Sequence, residues 1–208
     1  MIRIALTKGR IEEKAVEIFE KIGFDCTELH NKGRKLYFNI GEGVEVVLAK
    51  ANDVVTYVDH GVCDMGVVGK DTIMEMGRNL YECLDLGFGK CRFALACKKD
   101  SDFFGGYGHR IVASKYPNVT KEFFRSRGLD VEVVKIDGSV ELAPLLGLSD
   151  GIVDIVETGS TLKENGLEVV CDVAPISARL IVNPASLKLK KNGIDKIIDS
   201  IADVINNK

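Results

Sequence analysis

The segment richest in chemistry is Gly151-Ile-Val-Asp-Ile-Val-Glu-Thr-Gly-Ser-Thr-Leu162. A strand buried on both faces reads as a continuous apolar run, and Asp154 interrupts one here. Burying a carboxylate is costly unless it is paired or hydrogen-bonded, so Asp154 meets solvent, a structural cation or a ligand. Thr158-Gly159-Ser160-Thr161 follows at a strand-to-helix junction, where the first helical N–H groups lack intrahelical partners. Those donors, the positive helix end and three hydroxyls suit a phosphate, and Gly159 lets the backbone approach closely. Taken alone, an ordinary helix start capped by Thr158 would look the same. The proximity of Asp154 and Glu157 adds a second demand. Carboxylates repel phosphate but accept hydrogen bonds from vicinal hydroxyls, and a ribose 5-phosphate satisfies both.

The elements that must position these residues read as alternating strands and helices, an α/β pattern with largely parallel sheets. Strands are expected at Arg3–Thr7, Asp64–Val68, Leu80–Leu86 and Arg92–Cys97, with a hairpin of Lys35–Ile40 and Val44–Ala49 around Gly41-Glu42-Gly43. Helices are expected at Ile11–Ile22, ended by Gly23, and at Asn52–His60. Lys98–Gly108 reads as a surface loop. A second cycle follows: strands Ile111–Ser114, Val131–Ile136, Ile152–Val156, Glu168–Val173 and Leu180–Val182, with helices Val119–Arg127, Glu141–Leu146 and Ser160–Asn165. In the last helix, Ile194–Ile205, six apolar residues share one face and predict core packing. Two cycles in 208 residues predict two lobes, like periplasmic binding proteins, with the active site in the cleft between them. The first lobe is 1–88 plus 178–208 and the second, 89–177, carries the phosphate loop; the crossings lie at Gly87–Lys90 and Pro175–Ser177.

Composition narrows the partners. A net charge of −3 argues against nucleic acid and acidic membranes, which demand a basic excess. No apolar run approaches the roughly 20 residues that span a bilayer, and the opening MIRIALTKGR lacks a signal-peptide core, so a cytoplasmic protein is expected. The six cysteines form no CxxC and no Cys/His ligand spacing, and read as small buried hydrophobes rather than a metal site. His30, His60 and His109 are far apart. The chemistry is expected to use neither a protein nucleophile nor a protein-held metal.

Glu141, Gly147, Ser149, Ile152, Asp154, Ile155, Thr158, Gly159, Thr161 and Leu162 resemble, position for position, the signature of the ATP phosphoribosyltransferase family. Leu6-Thr-Lys-Gly-Arg10, Gly33-Arg-Lys-Leu36, Leu48-Ala-Lys-Ala-Asn-Asp-Val54, Asp64-Met-Gly-Val-Val-Gly-Lys-Asp71, Gly138-Ser-Val-Glu-Leu-Ala-Pro144 and Ser177-Ala-Arg-Leu-Ile-Val-Asn-Pro184 extend the likeness over essentially the whole chain. At Lys50 the family often has arginine, so a bidentate phosphate contact gives way to a point charge.

The resemblance implies transfer of the phosphoribosyl group of phosphoribosyl pyrophosphate (PRPP) to N1 of ATP, releasing pyrophosphate, as the first step of histidine biosynthesis. It implies that Thr158, Gly159, Ser160, Thr161 and Leu162 hold the 5-phosphate, and that Glu141, Asp154 and, less directly, Glu157 serve the ribose. Arg10 and Arg34 are the implied catalytic pair at the departing pyrophosphate, with Lys8, Gly9 and Lys50 on phosphate oxygens. Mg²⁺ would arrive on the substrates' phosphates. The length resembles the family's short form, which implies a histidyl-tRNA-synthetase-like regulatory subunit and a homodimer or larger hetero-oligomer. Two other readings stand beside it. One is a two-lobed phosphosugar- or nucleotide-binding module, or the sensing domain of a regulator. The other is a phosphoribosyltransferase for another base, although such enzymes typically place two adjacent carboxylates before the TGxT.

Overall fold

A computed structural model describes residues 1–41, 43–105 and 108–207. The chain forms two compact units, Met1–Gly89 joined by the chain from Ser177 onward, and Lys90–Ile176. The first unit begins with β1 (Ile2–Thr7), α1 (Arg10–Lys21), α2 (Thr27–His30), β2 (Tyr37–Asn39), β3 (Val44–Ala49), α3 (Ala51–Asp59), β4 (Met65–Gly69), α4 (Lys70–Met76) and β5 (Tyr81–Asp85). The second holds β6 (Cys91–Lys98), β7 (Arg110–Ser114), α5 (Pro117–Ser126), β8 (Val131–Lys135), α6 (Leu142–Leu145), β9 (Gly151–Val156), α7 (Ser160–Glu164) and β10 (Leu167–Ile176). The chain then completes the first unit with β11 (Ala178–Val182), α8 (Pro184–Leu189) and α9 (Lys191–Asn206).

The α/β class is as expected, but both sheets are mixed rather than largely parallel. In the first, ordered β2-β3-β1-β4-β11-β5, β1 runs parallel to β3 and β4, while β2, β11 and β5 pair antiparallel. In the second, ordered β10-β6-β9-β7-β8, β7 runs parallel to β8 and β9, while β6 pairs antiparallel with both β9 and β10. An apolar run reports burial of a strand but not its direction, so this pattern was beyond local reading.

Burial explains the elements. β4 is buried along its whole length, and a Cβ at Gly66 would stand 2.9 Å from methyls of Val54 and Val58. That glycine lets α3 lie close on the sheet. Ile194, Ile197 and Ile201 of α9 join the first unit's core, with Ile198, Val204 and Ile205 packed against it, as the stripe predicted. Among the described residues no helix is long and apolar enough to cross a membrane.

Three short helices, α2, α4 and α8, escaped the periodicity reading because none runs much beyond two turns. The glycine turn includes Glu42, and the Lys98–Gly108 loop includes Gly106 and Tyr107; those three lie outside the described residues. The loop is also not wholly at the surface. Phe103 is 4% exposed and packs on Phe124 with ring centroids 5.8 Å apart. It fills the space beside Gly151, where a Cβ would meet the Phe103 ring at 2.9 Å and the Ala96 carbonyl oxygen at 3.0 Å. Gly151→Ala is therefore expected to destabilise the protein by about 1–3 kcal/mol. A thermal melt should show this as a fall of several degrees, with no change in substrate affinity.

Candidate active site

In the first unit the three parallel strands bring their C-terminal ends to one sheet edge. The registers Thr7↔Ala49 and Leu6↔Val67 align β1 with β3 and β4. A hydrogen bond from Thr7 Oγ1 to the Val67 carbonyl (2.9 Å) and one from Lys8 N to the Ala49 carbonyl (3.0 Å) lock the ends together. Each strand then passes directly into a helix, so Lys8, Gly9 and Arg10 follow β1, Lys50 caps α3 and Lys70 opens α4. The antiparallel β2 starts at the same edge, with Leu48 N donating to the Leu36 carbonyl (2.9 Å), and this brings in Arg34. Lys8, Arg10, Arg34 and Lys50 are all exposed, and among the described residues none forms an ion pair. Four unneutralised cations beside the starts of α1 and α3 make this edge attractive to polyanions.

Gly9 sits at φ +95° with nothing near a would-be Cβ, so backbone conformation rather than space requires glycine there. Lys70 was assigned no role from sequence. It is ion-paired to Glu82, which also binds Arg179 (3.2 Å), while Arg179 reaches Asp85 (3.0 Å). Arg179 thus ties β11 to β5, a structural role for the Ser177–Pro184 stretch.

The second unit repeats the arrangement with the opposite charge. β9 and β7 run parallel with Ser114↔Val153 in register, so Lys115, just past the end of β7, comes level with Asp154, which is still within β9. Asp154 is half-buried and forms no ion pair among the described residues. Burial raises its carboxyl above the ordinary 3.8 and the charge of Glu141 acts the same way, while a hydrogen bond from the Ile155 N–H and the charge of Lys115 oppose them. Glu141 and Asp154 are therefore close enough to act on one another, whereas Glu157 is exposed at the start of the loop. Lys115 was missed, although its place directly after a strand, at the same edge, was the available signal.

The loop after β9 is built by its glycine. Gly159, at φ 81° and ψ 7°, is the N-cap of α7, so the capping position falls on Gly159 and not on Thr158. The Thr158 hydroxyl instead lies 3.0 Å from the Ser160 hydroxyl and accepts weakly from Ser160 N (3.4 Å). Thr158, Ser160 and Thr161 are exposed and Leu162 is buried, packed with Val140, Ala143, Ile152 and Val156. That side chain anchors a loop whose Thr158, Ser160 and Thr161 residues are exposed at a helix start, where hydroxyls and leading N–H groups form the kind of donor set that suits a phosphate monoester.

The thiols are poor nucleophiles. Burial pushes Cys26 and Cys63 up to about 11 and raises Cys83, Cys97 and Cys171, so they stay protonated at neutral pH. His30 is held by Glu20 at 2.6 Å. Among the described residues no group of three or more His, Cys, Asp and Glu could hold a metal ion.

The Asp154 carboxylate carries a cost that implies use. The folded state holds its proton more tightly than the unfolded chain does, so stability falls as pH rises from 3.8 through the raised folded value and stays lower above it. Asp154→Asn should therefore melt higher than the parent at neutral pH, with the difference vanishing toward pH 3.8. The same substitution should lower kcat/KM for a ribose-phosphate substrate about tenfold or more. Paired melts and initial rates check both signs.

Known proteins are similar to this chain over most or all of its length. The family model described as ATP phosphoribosyltransferase matches residues 50–203. An ATP phosphoribosyltransferase of Clostridium kluyveri is 61% identical over 206 residues, covering 99% of this chain and 94% of the relative. Among solved structures, the ATP phosphoribosyl transferase (HisG:HisZ) complex from Thermotoga maritima superposes with a TM-score of 0.85 at 34% identity, covering 100% of both chains. The periplasmic aliphatic sulphonate binding protein SsuA from Escherichia coli follows at TM-score 0.60 and 13% identity, covering 98% of this chain and 72% of that one. That last likeness carries the two-lobed fold alone.

Proposed function

The chain belongs to the ATP phosphoribosyltransferase family, and from that premise we propose which of its residues carry each part of the reaction. The protein transfers the phosphoribosyl group of PRPP to ATP, the first step of histidine biosynthesis. In the proposed scheme the adenine N1 lone pair attacks the anomeric carbon of PRPP as the bond from that carbon to the pyrophosphate oxygen breaks. The electron pair leaves with pyrophosphate. No side chain need act as nucleophile, in keeping with thiols that burial keeps protonated.

Thr158, Ser160, Thr161 and the backbone of Gly159 and Leu162 hold the 5-phosphate, and Asp154 with Glu141 accepts hydrogen bonds from the ribose hydroxyls, with Glu157 in a lesser part. Arg10 and Arg34 stabilise the departing pyrophosphate, while Lys8, Gly9 and Lys50 bind phosphate oxygens. Catalysis is then positioning plus electrostatic stabilisation of the leaving group. The described acidic side chains offer no cage for a cation, so Mg²⁺ is proposed to come with the substrates' phosphates and to neutralise part of their charge. The Thermotoga maritima relative was solved as a HisG:HisZ complex, and a HisZ-like regulatory subunit is the proposed partner, in a cytoplasmic homodimer or larger hetero-oligomer.

The observation that carries this reading is Asp154: a half-buried carboxylate without an ion pair among the described residues, on the strand that runs into a left-handed glycine opening a helix. The test is to mix the chain with ATP, PRPP, Mg²⁺ and pyrophosphatase, and to follow the ultraviolet absorbance of N1-substituted adenine. Product from the chain alone, or with a HisZ-like partner added, is expected. No product under either condition would sink the reading.

A further inference from the structure

We propose that Glu12 is a positioning residue that holds the backbone beside Arg10 and the turn carrying Arg34 in one arrangement. The inference rests on the pyrophosphate role given to those two arginines above. Glu12 lies in the first turn of α1, where glutamates are usually solvated, yet only 3% of it is exposed. A carboxylate so buried is costly unless both oxygens are engaged, and here both are. Glu12 Oε2 accepts from Gly9 N at 3.3 Å, which closes a capping box at the residue preceding Arg10. Glu12 Oε1 is ion-paired to Lys32 Nζ.

Lys32 opens a tight turn, because Lys35 N donates to the Lys32 carbonyl at 2.9 Å and Gly33 takes φ +53°. Arg34 occupies the third position of that turn. One buried carboxylate therefore grips the chain one residue before Arg10 and two residues before Arg34. Neither arginine forms an ion pair among the described residues, so nothing else of that kind fixes the guanidinium groups. Without Glu12 the start of α1 and the turn carrying Arg34 would be joined less directly, through the β1–β3–β2 ladder, and a misplacement of about 1 Å is enough to cost up to roughly 10²-fold in rate.

The test compares Glu12→Gln, which can still accept from Gly9 N but loses the ion pair, with Lys32→Met, Lys32→Arg and Arg34→Ala. Glu12→Gln and Lys32→Met are expected to lower kcat about tenfold while leaving KM for ATP and PRPP within about threefold, and to weaken product inhibition by pyrophosphate. Lys32→Arg, which restores the pair, should recover most of the turnover. Placed on the Arg34→Ala background, Glu12→Gln should cost less than about twofold more, because the two act as a unit. A merely structural Glu12 would lower the melting temperature and leave kcat per folded site and pyrophosphate inhibition unchanged, and that result would overturn the proposal. So would a full tenfold loss persisting on the Arg34→Ala background. Should Glu12→Gln fail to fold, Lys32→Met, altered at a partly exposed side chain, decides the matter. Wild-type turnover in Arg10→Ala and Arg34→Ala would refute the pyrophosphate assignment itself, whereas loss there with none in Lys32→Met would refute the positioning role alone.

Discussion

Arg34→Ala is expected to lower kcat by roughly 10²–10³-fold, the scale seen when one preorganised donor to developing charge is removed, and Arg10→Ala by a similar factor. Both residues lie where the ends of β1 and β3 meet the start of β2, and both are exposed without an ion pair among the described residues. Negative charge on the leaving pyrophosphate grows as its bond to the anomeric carbon breaks. A guanidinium aimed at those oxygens therefore binds the transition state more tightly than the ground state, so its loss appears in kcat more than in KM. Lysine at either position should recover only part of the rate, because a point charge replaces a planar bidentate donor. Initial rates at saturating ATP and PRPP, with pyrophosphatase present, measure the effect directly. Wild-type kcat in both alanine variants would mean that the leaving group is stabilised elsewhere.

What could be read from the sequence, and what could not, follows from how local each signal is. Asp154 in an apolar run, the TGST junction and the isoleucine face of α9 are written in adjacent residues, and each stands where it was expected. Strand direction is not local. The antiparallel pairing of β6 with β9 is decided by where the chain returns after the excursion through β7 and β8. Glu12 was equally hidden, because nothing near it in sequence shows that Lys32, 20 residues away, arrives to pair with it. The burial of Phe103 is hidden in the same way, since the gap it fills is left by Gly151, 48 residues further along the chain. The cap at Gly159 turned on backbone angles that both Thr158 and Gly159 offered a way to satisfy.

That cap sets the second large effect. Gly159→Pro is expected to weaken PRPP binding by about 10–100-fold, whereas Gly159→Ala should do so far less. The φ of +81° is outside what proline's ring allows, near −65°, so the whole loop must rebuild in the first variant. Alanine needs only to tolerate a left-handed backbone, at about 1–2 kcal/mol. Space is not the obstacle, since the nearest atom to a Cβ there is a Val156 methyl at 3.7 Å. Thr161→Ala removes one hydroxyl offered to a charged phosphate, worth about 1.5–3 kcal/mol, and should add to the loss in the double variant. The fold should survive, because β9 stays paired on both sides with β6 and β7 and Leu162 remains in the core beyond the loop. Titration calorimetry with PRPP and, separately, with ATP distinguishes the cases. Loss confined to PRPP locates the 5-phosphate at this loop, and equal loss for both ligands points to general unfolding of the variant. Undiminished PRPP affinity in the Gly159→Pro, Thr161→Ala double variant would mean that the helix start at Ser160 is a structural turn, and that the 5-phosphate is held by other residues.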